Sequence, residues 1–322
     1  MQRFFADDSF WNTPIGPDAQ IDPRSDHYLE LLAGEYGGPF WINLEDYTIP
    51  VYEADERTAR RTVHQRPAEN PEALRRRWGE RERYFSHGPG FGSDVPIPDH
   101  AVSDPAGDQH LAVVDWSSRT VWDTWACRRR PDGEWESYTG MVYPLDGGGV
   151  WRTGDFEVQD GDSIHFHGPS RAAGVPAIAG LIMQREVEEG AIEHKLAYAT
   201  WRNAYKQFTS PAAWTDGFRE DGLPEGALVR IDPALDPDEF DLSPGSRVVF
   251  RALQRYGMVN VDNARANTLY GEGLYGHPGR SWDGLLAEGD LMEVPLACYQ
   301  VMVLGEVTRK GDGQRLRRAG EE

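Results

Sequence analysis

Turn chemistry constrains this chain more than any other feature. Gly (35) and Pro (22) recur throughout its 322 residues, and the apolar runs between them are short. From 108 to 209, candidate strands cover 120–126, 135–143, 155–158, 163–166, 178–185 and 194–201. They are separated by turn signals at Pro131-Asp132-Gly133, Asp146-Gly147-Gly148-Gly149 and Asp160-Gly161. Short strands at this spacing predict a mainly β chain: an antiparallel, jelly-roll-like β-sandwich with a few short helices.

No linker divides the sequence, so 1–308 reads as a single β-rich domain with a charged tail over 309–322. A polar helical insertion is expected over 64–93. Its Arg75, Arg76, Arg77, Arg81 and Arg83 suit either an anion site or a solvated helix face. The clearest helix is 243–257. Ser243 is an N-cap type, Pro244 suits the first helical position, and Val248, Val249, Ala252, Leu253 and Tyr256 form an apolar stripe ended by Gly257. A shorter helix is expected over 26–33, capped by Ser25.

A net charge of −20, with Lys195, Lys206 and Lys310 as the only lysines, argues against nucleic acid and anionic membrane as partners. No apolar run approaches the ~18 residues of a membrane span. The opening MQRFFADDSFWNTP lacks the basic and long apolar regions of a signal peptide, which leaves an intracellular chain or one whose leader has been removed. Cys127 and Cys298 lack metal-site spacing and allow one disulfide or two buried thiols.

The best catalytic-looking pair is Asp108 and His110, at the mouth of an apolar strand expected over 109–116. Two residues apart in a strand, they would share a face with Ala112 and Val114. A carboxylate beside an imidazole makes a general base near neutral pH. The alternative is a capping Asp108 and a satisfied, half-buried His110. His194, at the head of a later strand, is the third member of the set. In DSIHFHGPS, His165 and His167 fall on one strand face, as barrel-type sites present imidazoles to a divalent metal. For a hydrolase, two carboxylates are needed, and Asp99, Asp104, Asp108, Asp115, Asp123 and Asp262 are all available. Eleven tryptophans exceed ordinary core use. Aromatic faces stack on sugar rings, and Trp125, Tyr270 and Tyr275, with Asp262, are candidates to line a cleft.

The segments SFWNTPI, VPIPDHA, GDQHL, AAGVPAIAGLI, EVEEGAIEHKL and ALQRYGMVNVDN together resemble a recurring set in a family of predicted secreted bacterial proteins. There the corresponding segments read WNTP, IPIP, GDxHL, AAGLPxxxGLI, GxIxHAL and ALxxYGMxxxDN. The order agrees over about residues 8–265. The family is associated with biomass-degrading microbes, sometimes beside sugar-binding modules. The resemblance implies an extracellular protein and carries over Asp108, His110, His194 and Asp262 as shared polar positions; the HFH strand is outside the pattern. The expectation is a polysaccharide-degrading enzyme, lyase slightly favoured over glycoside hydrolase, in which Asp108 orients His110 as base and His194 binds or activates substrate. The rivals are a non-catalytic carbohydrate-binding protein and a metal-dependent, cupin-like enzyme.

Overall fold

The structure is a computed structural model that describes residues 2–67, 83–152, 154–160 and 163–309. Among these residues strands far outnumber helices, of which three are α-helical: Ser25–Ala33, Gln184–Glu189 and Pro244–Arg255. The β-rich expectation is what the chain adopts.

Two sheets position the site. The larger has six strands in the order Trp41–Asn43, Thr268–Tyr270, Leu196–Ala199, Met258–Asp262, Leu228–Ile231, Tyr299–Val301. The smaller has four, in the order Thr139–Pro144, Thr120–Trp125, Leu111–Asp115, Val51–Ala54. Side-chain alternation sorts their residues into layers. From Leu196–Ala199, Leu196 and Tyr198 pack with Val249, Phe250 and Leu253 of Pro244–Arg255 and with Tyr28 and Leu32 of Ser25–Ala33. Ala197 and Ala199 face the other way, into a core shared with Ala112, Val114 and Val121 of the smaller sheet. On that sheet's far side Leu111, Val113 and Trp122 join Tyr52, Val63, Val95 and Trp135.

The layer between the sheets holds an irregular stretch, 168–183, that is buried almost throughout. Buried irregular backbone must find partners for its polar groups. Asp123 supplies them: its carboxylate accepts from Ser170 N at 3.2 Å, Ala177 N at 2.7 Å and the Tyr143 hydroxyl at 3.0 Å. Gly180 lets the stretch lie directly on the larger sheet. Its φ is +70°, and a Cβ there would stand 2.5 Å from Ala197 N.

Several expectations are corrected. The sheets are mixed, with parallel pairs that a purely antiparallel jelly roll lacks: Leu196–Ala199 with Met258–Asp262, Trp41–Asn43 with Thr268–Tyr270, and Val51–Ala54 with Leu111–Asp115. Strands covered on both faces, such as LAVVD and LAYA, suit such pairing, and their continuous apolar runs do not disclose strand direction. Within the expected strand 178–185 the chain is instead irregular, and helix Gln184–Glu189 begins at its end. Gly190, at φ +82°, terminates that helix. Ser25 is no cap; its hydroxyl accepts from Val301 N. Helix Pro244–Arg255 forms as expected, with Ser243 accepting from Ser246 N. Both cysteines are free thiols. The helical insertion lies outside the described residues apart from its flanks, which include strands Val63–Gln65 and Arg83–Phe85, and the tail lies outside them beyond Arg309.

Candidate functional site

Asp262 ends the strand Met258–Asp262, where a register shift in its pairing with Leu196–Ala199 sets it opposite Ala199. Bulges of this kind re-aim side chains at the rims of sheets. Asn263 N donates to the Asp262 carboxylate at 2.8 Å. The protein closes round the carboxylate but leaves part of the residue open to solvent. Burial raises its pKa to about 8; the charges of Asp216 and Asp108 push the same way, and Arg171 opposes them. A carboxyl so placed holds its proton at neutral pH.

Arg171 is the hub. It is fully buried, its Cζ lies 3.7 Å above the Tyr270 ring, and its Nη2 donates to Ala177 O at 3.2 Å. Its Nε and Nη1 are buried with no protein partner. Its charge is felt by Asp262, His110, Tyr143 and Tyr270. Burial and the Asp262 charge hold the Tyr270 hydroxyl well above its ordinary range, so it is a proton donor and never a phenolate at neutral pH.

Behind Asp262 lies a second polar tier. Glu225, fully buried, accepts from Asp216 N at 3.1 Å and from Asn203 Nδ2 at 3.4 Å; burial and then Asp216 drive its acidity far down. Asn203 Nδ2 also donates to Asp262 O at 2.7 Å, and Asn263 Nδ2 donates to the Asp216 carboxylate.

The expected triad divides. Asp108 belongs to this cluster: its charge acts on Asp262, Tyr270 and Asp104. It does not lie in a strand beside His110, because the strand begins only at Leu111 and Gln109 between them takes φ +48°, which breaks the alternation. His110 is buried, with its Nδ1 unpartnered; burial first, then Arg171, lowers its pKa to about 3. An imidazole so reluctant to take a proton is a poor general base. His194 sits elsewhere. It precedes the Leu196 end of Leu196–Ala199, whereas Asp262 pairs with the Ala199 end, on the order of 13 Å of strand away. Its Nε2 meets Glu186 Oε2 at 3.0 Å and its Nδ1 meets Lys195 O at 2.9 Å, which makes it a buried structural pair.

Of the other candidates, Tyr270 is in the cluster. Tyr275 is at its margin, donating toward Asp104 Oδ1 at 3.5 Å and accepting from Thr48 at 3.3 Å. Trp125 packs edge-on to Phe85 at 4.9 Å and against Tyr138 at 5.4 Å. His167 lies just past the strand Ser163–Phe166 that contains His165, and the His165 side chain is outside the description. Among the described residues, no group of three His, Cys, Asp or Glu is arranged to hold a metal ion.

Sequence reasoning missed Arg171, Asp216, Glu225 and Asn203. Arg171 adjoins AAGVPAIAGLI, and the only signal was a charged residue entering an otherwise apolar run. It also missed Tyr47, half exposed at φ +53°, whose ring stands beside Gly107 next to Asp108.

Comparison of the chain with protein-family models, with curated proteins and with solved structures finds no match in any of the three. Fold and site together define a β-rich protein with a carboxylate-dominated polar cluster around one buried arginine. Among the described residues, no helix is long and apolar enough to cross a membrane.

Proposed function

We propose that the chain is a glycan-cleaving enzyme acting on polysaccharide outside the cell, and that it works as a glycoside hydrolase. The observation that carries this reading is Asp262, a carboxyl held protonated by burial and by the charges of Asp216 and Asp108 beside it. One carboxyl keeps its proton to about pH 8 and its neighbour supplies part of the reason. A carboxyl that keeps its proton beside a further carboxylate is what acid-assisted glycosidic cleavage requires. Asp262 would give its proton to the departing glycosidic oxygen as the bond to the anomeric carbon breaks. Asp108 would either bond to that carbon or take a proton from the water that does. Water supplies the new hydroxyl and restores the Asp262 proton. Tyr47 at the rim offers a face for a sugar ring, and the extracellular setting follows from the resemblance in segment order.

A lyase is the second reading, favoured by the free guanidinium nitrogens of Arg171 beside the protonated Tyr270. Such a pair suits neutralising a uronate carboxylate and protonating a leaving oxygen. The weak basicity of His110 counts against the histidine-centred version. A panel of neutral and uronate polysaccharides separates the readings. New reducing ends without ultraviolet-absorbing unsaturated products support hydrolysis, unsaturated products support the lyase, and binding without products supports a carbohydrate-binding protein.

A further inference from the structure

A cavity of about 400 Å³ opens at the Trp116 end of the strand Leu111–Asp115. His110 precedes that strand, and Trp116, in the cavity wall, follows it. The floor is apolar: Val51, Val114 and Met183 are all buried. One wall is aromatic, formed by the stacked Phe4 and Trp116 rings, which are parallel to within 8° with centroids 5.7 Å apart. Trp116 Nε1 donates to Glu53 Oε1 at 3.0 Å, which fixes the indole.

Two buried nitrogens in the wall lack partners, Arg185 Nε and His277 Nε2. Arg185 is held over Trp116, at 5.4 Å, with Nη2 donating to Gln2 O at 2.9 Å, so its Nε is a fixed donor. His277 is stacked on Tyr52 at 4.7 Å and 12°. Burial, then Arg280 and His100, lower its pKa, and the Val51 backbone takes a ring N–H. Neutral His277 with that proton engaged leaves Nε2 as an acceptor. Arg280 adds no free cation, being bound by both nitrogens to Glu272 at 2.8 Å and by Nε to Gln184 at 2.7 Å. Glu53 and Glu188 at the edge disfavour an anion.

An uncharged occupant fits this lining, accepting from Arg185, donating to His277 and laying an apolar face on the aromatic wall. We infer that this cavity is a second carbohydrate-binding site, taking a neutral glycosyl unit whose C–H face packs on Trp116 and Phe4 while its hydroxyls serve Arg185 and His277. The inference does not depend on the hydrolase reading: a chain that cleaved nothing would still bind here.

The test uses the full chain carrying Asp262→Asn, labelled with 5-fluorotryptophan, and four probes of one length: neutral gluco-, xylo-, manno- and galacto-oligosaccharides. An oligogalacturonate is the acidic control. Fluorine resonances and calorimetric titration are read to about 10 mM ligand. At least one neutral probe is expected to shift the Trp116 resonance, and its affinity should fall about tenfold or more in both Trp116→Ala and His277→Phe. The second variant changes a half-buried residue and keeps the test decisive if the first fails to fold. No neutral probe binding, binding indifferent to His277→Phe, or preference for the oligogalacturonate at Trp116 would overturn the inference. Binding that persists in a wild-type chain without cleavage would overturn the hydrolase reading alone.

Discussion

The guanidinium carbon of Arg171 lies 3.7 Å above the ring of Tyr270 in a fully buried setting. In a chain of net charge −20, this cation opposes the carboxylates that weaken the acidity of Asp262. Removing it should weaken that acidity further. In Arg171→Met, the alkaline limb of the pH–rate profile is expected to move to higher pH while the maximal rate falls by about tenfold or more. A limb that stays in place or moves down would separate Arg171 from the proton on Asp262.

His194 is expected to matter for stability and not for turnover. His194→Gln loses the 3.0 Å contact to Glu186 and leaves that buried carboxylate poorly matched. Chemical denaturation should register a loss of about 2 kcal/mol, with glycan cleavage within about twofold of wild type. A stable but inactive variant would return His194 to the site.

Asp123 fastens the buried stretch that delivers Arg171. An amide at this position can accept at one of its two terminal atoms only, whereas the carboxylate accepts from Ser170 N and the Tyr143 hydroxyl and, at 2.7 Å, from Ala177 N. Asp123→Asn should destabilise the chain by about 2 kcal/mol and raise amide exchange across 170–177. Unchanged protection there would mean that the stretch is held by other contacts.

Stability should decline as pH rises from 6.5 to about 8. Folding raises Asp262 from 3.8 to about 8 and Asp104 from 3.8 to about 6. Their contributions are whole below the unfolded value and are lost as pH rises through the folded ones. His110 runs oppositely, from 6.5 to about 3, so its contribution is whole above pH 6.5 and lost as pH falls. The two trends oppose each other up to pH 6.5; above it the carboxyl loss remains, joined by His194, whose pKa is raised by its Glu186 partner against the effect of burial. The urea midpoint should therefore fall between pH 6.5 and 8, and Asp262→Asn should flatten the fall. A midpoint rising over that interval would contradict the assignment.

Part of this was legible in the sequence. Turn spacing and short apolar runs disclosed the β-rich class, and Ser243-Pro244 with a 3.6-residue stripe disclosed its helix. Asp108, Tyr270 and Asp262 could be nominated by residue type and segment. Their convergence could not, because it depends on the parallel pairing of Leu196–Ala199 with Met258–Asp262, a long-range choice with no local signature. The pairing of Asp108 with His110 failed on one backbone angle at Gln109, a residue whose side chain gives no warning of a positive φ. Arg171 was hidden because buried charge is rare and its partners come from three other segments.

The most direct measurement is the activity of Asp262→Asn on whichever polysaccharide of the panel the wild type cleaves. The substitution keeps the shape of a side chain that is already uncharged at neutral pH, so circular dichroism and thermal midpoint should stay close to wild type. The cleavage rate is expected to fall by about 10²- to 10⁴-fold. A folded Asp262→Asn chain that cleaves at the wild-type rate would contradict the account.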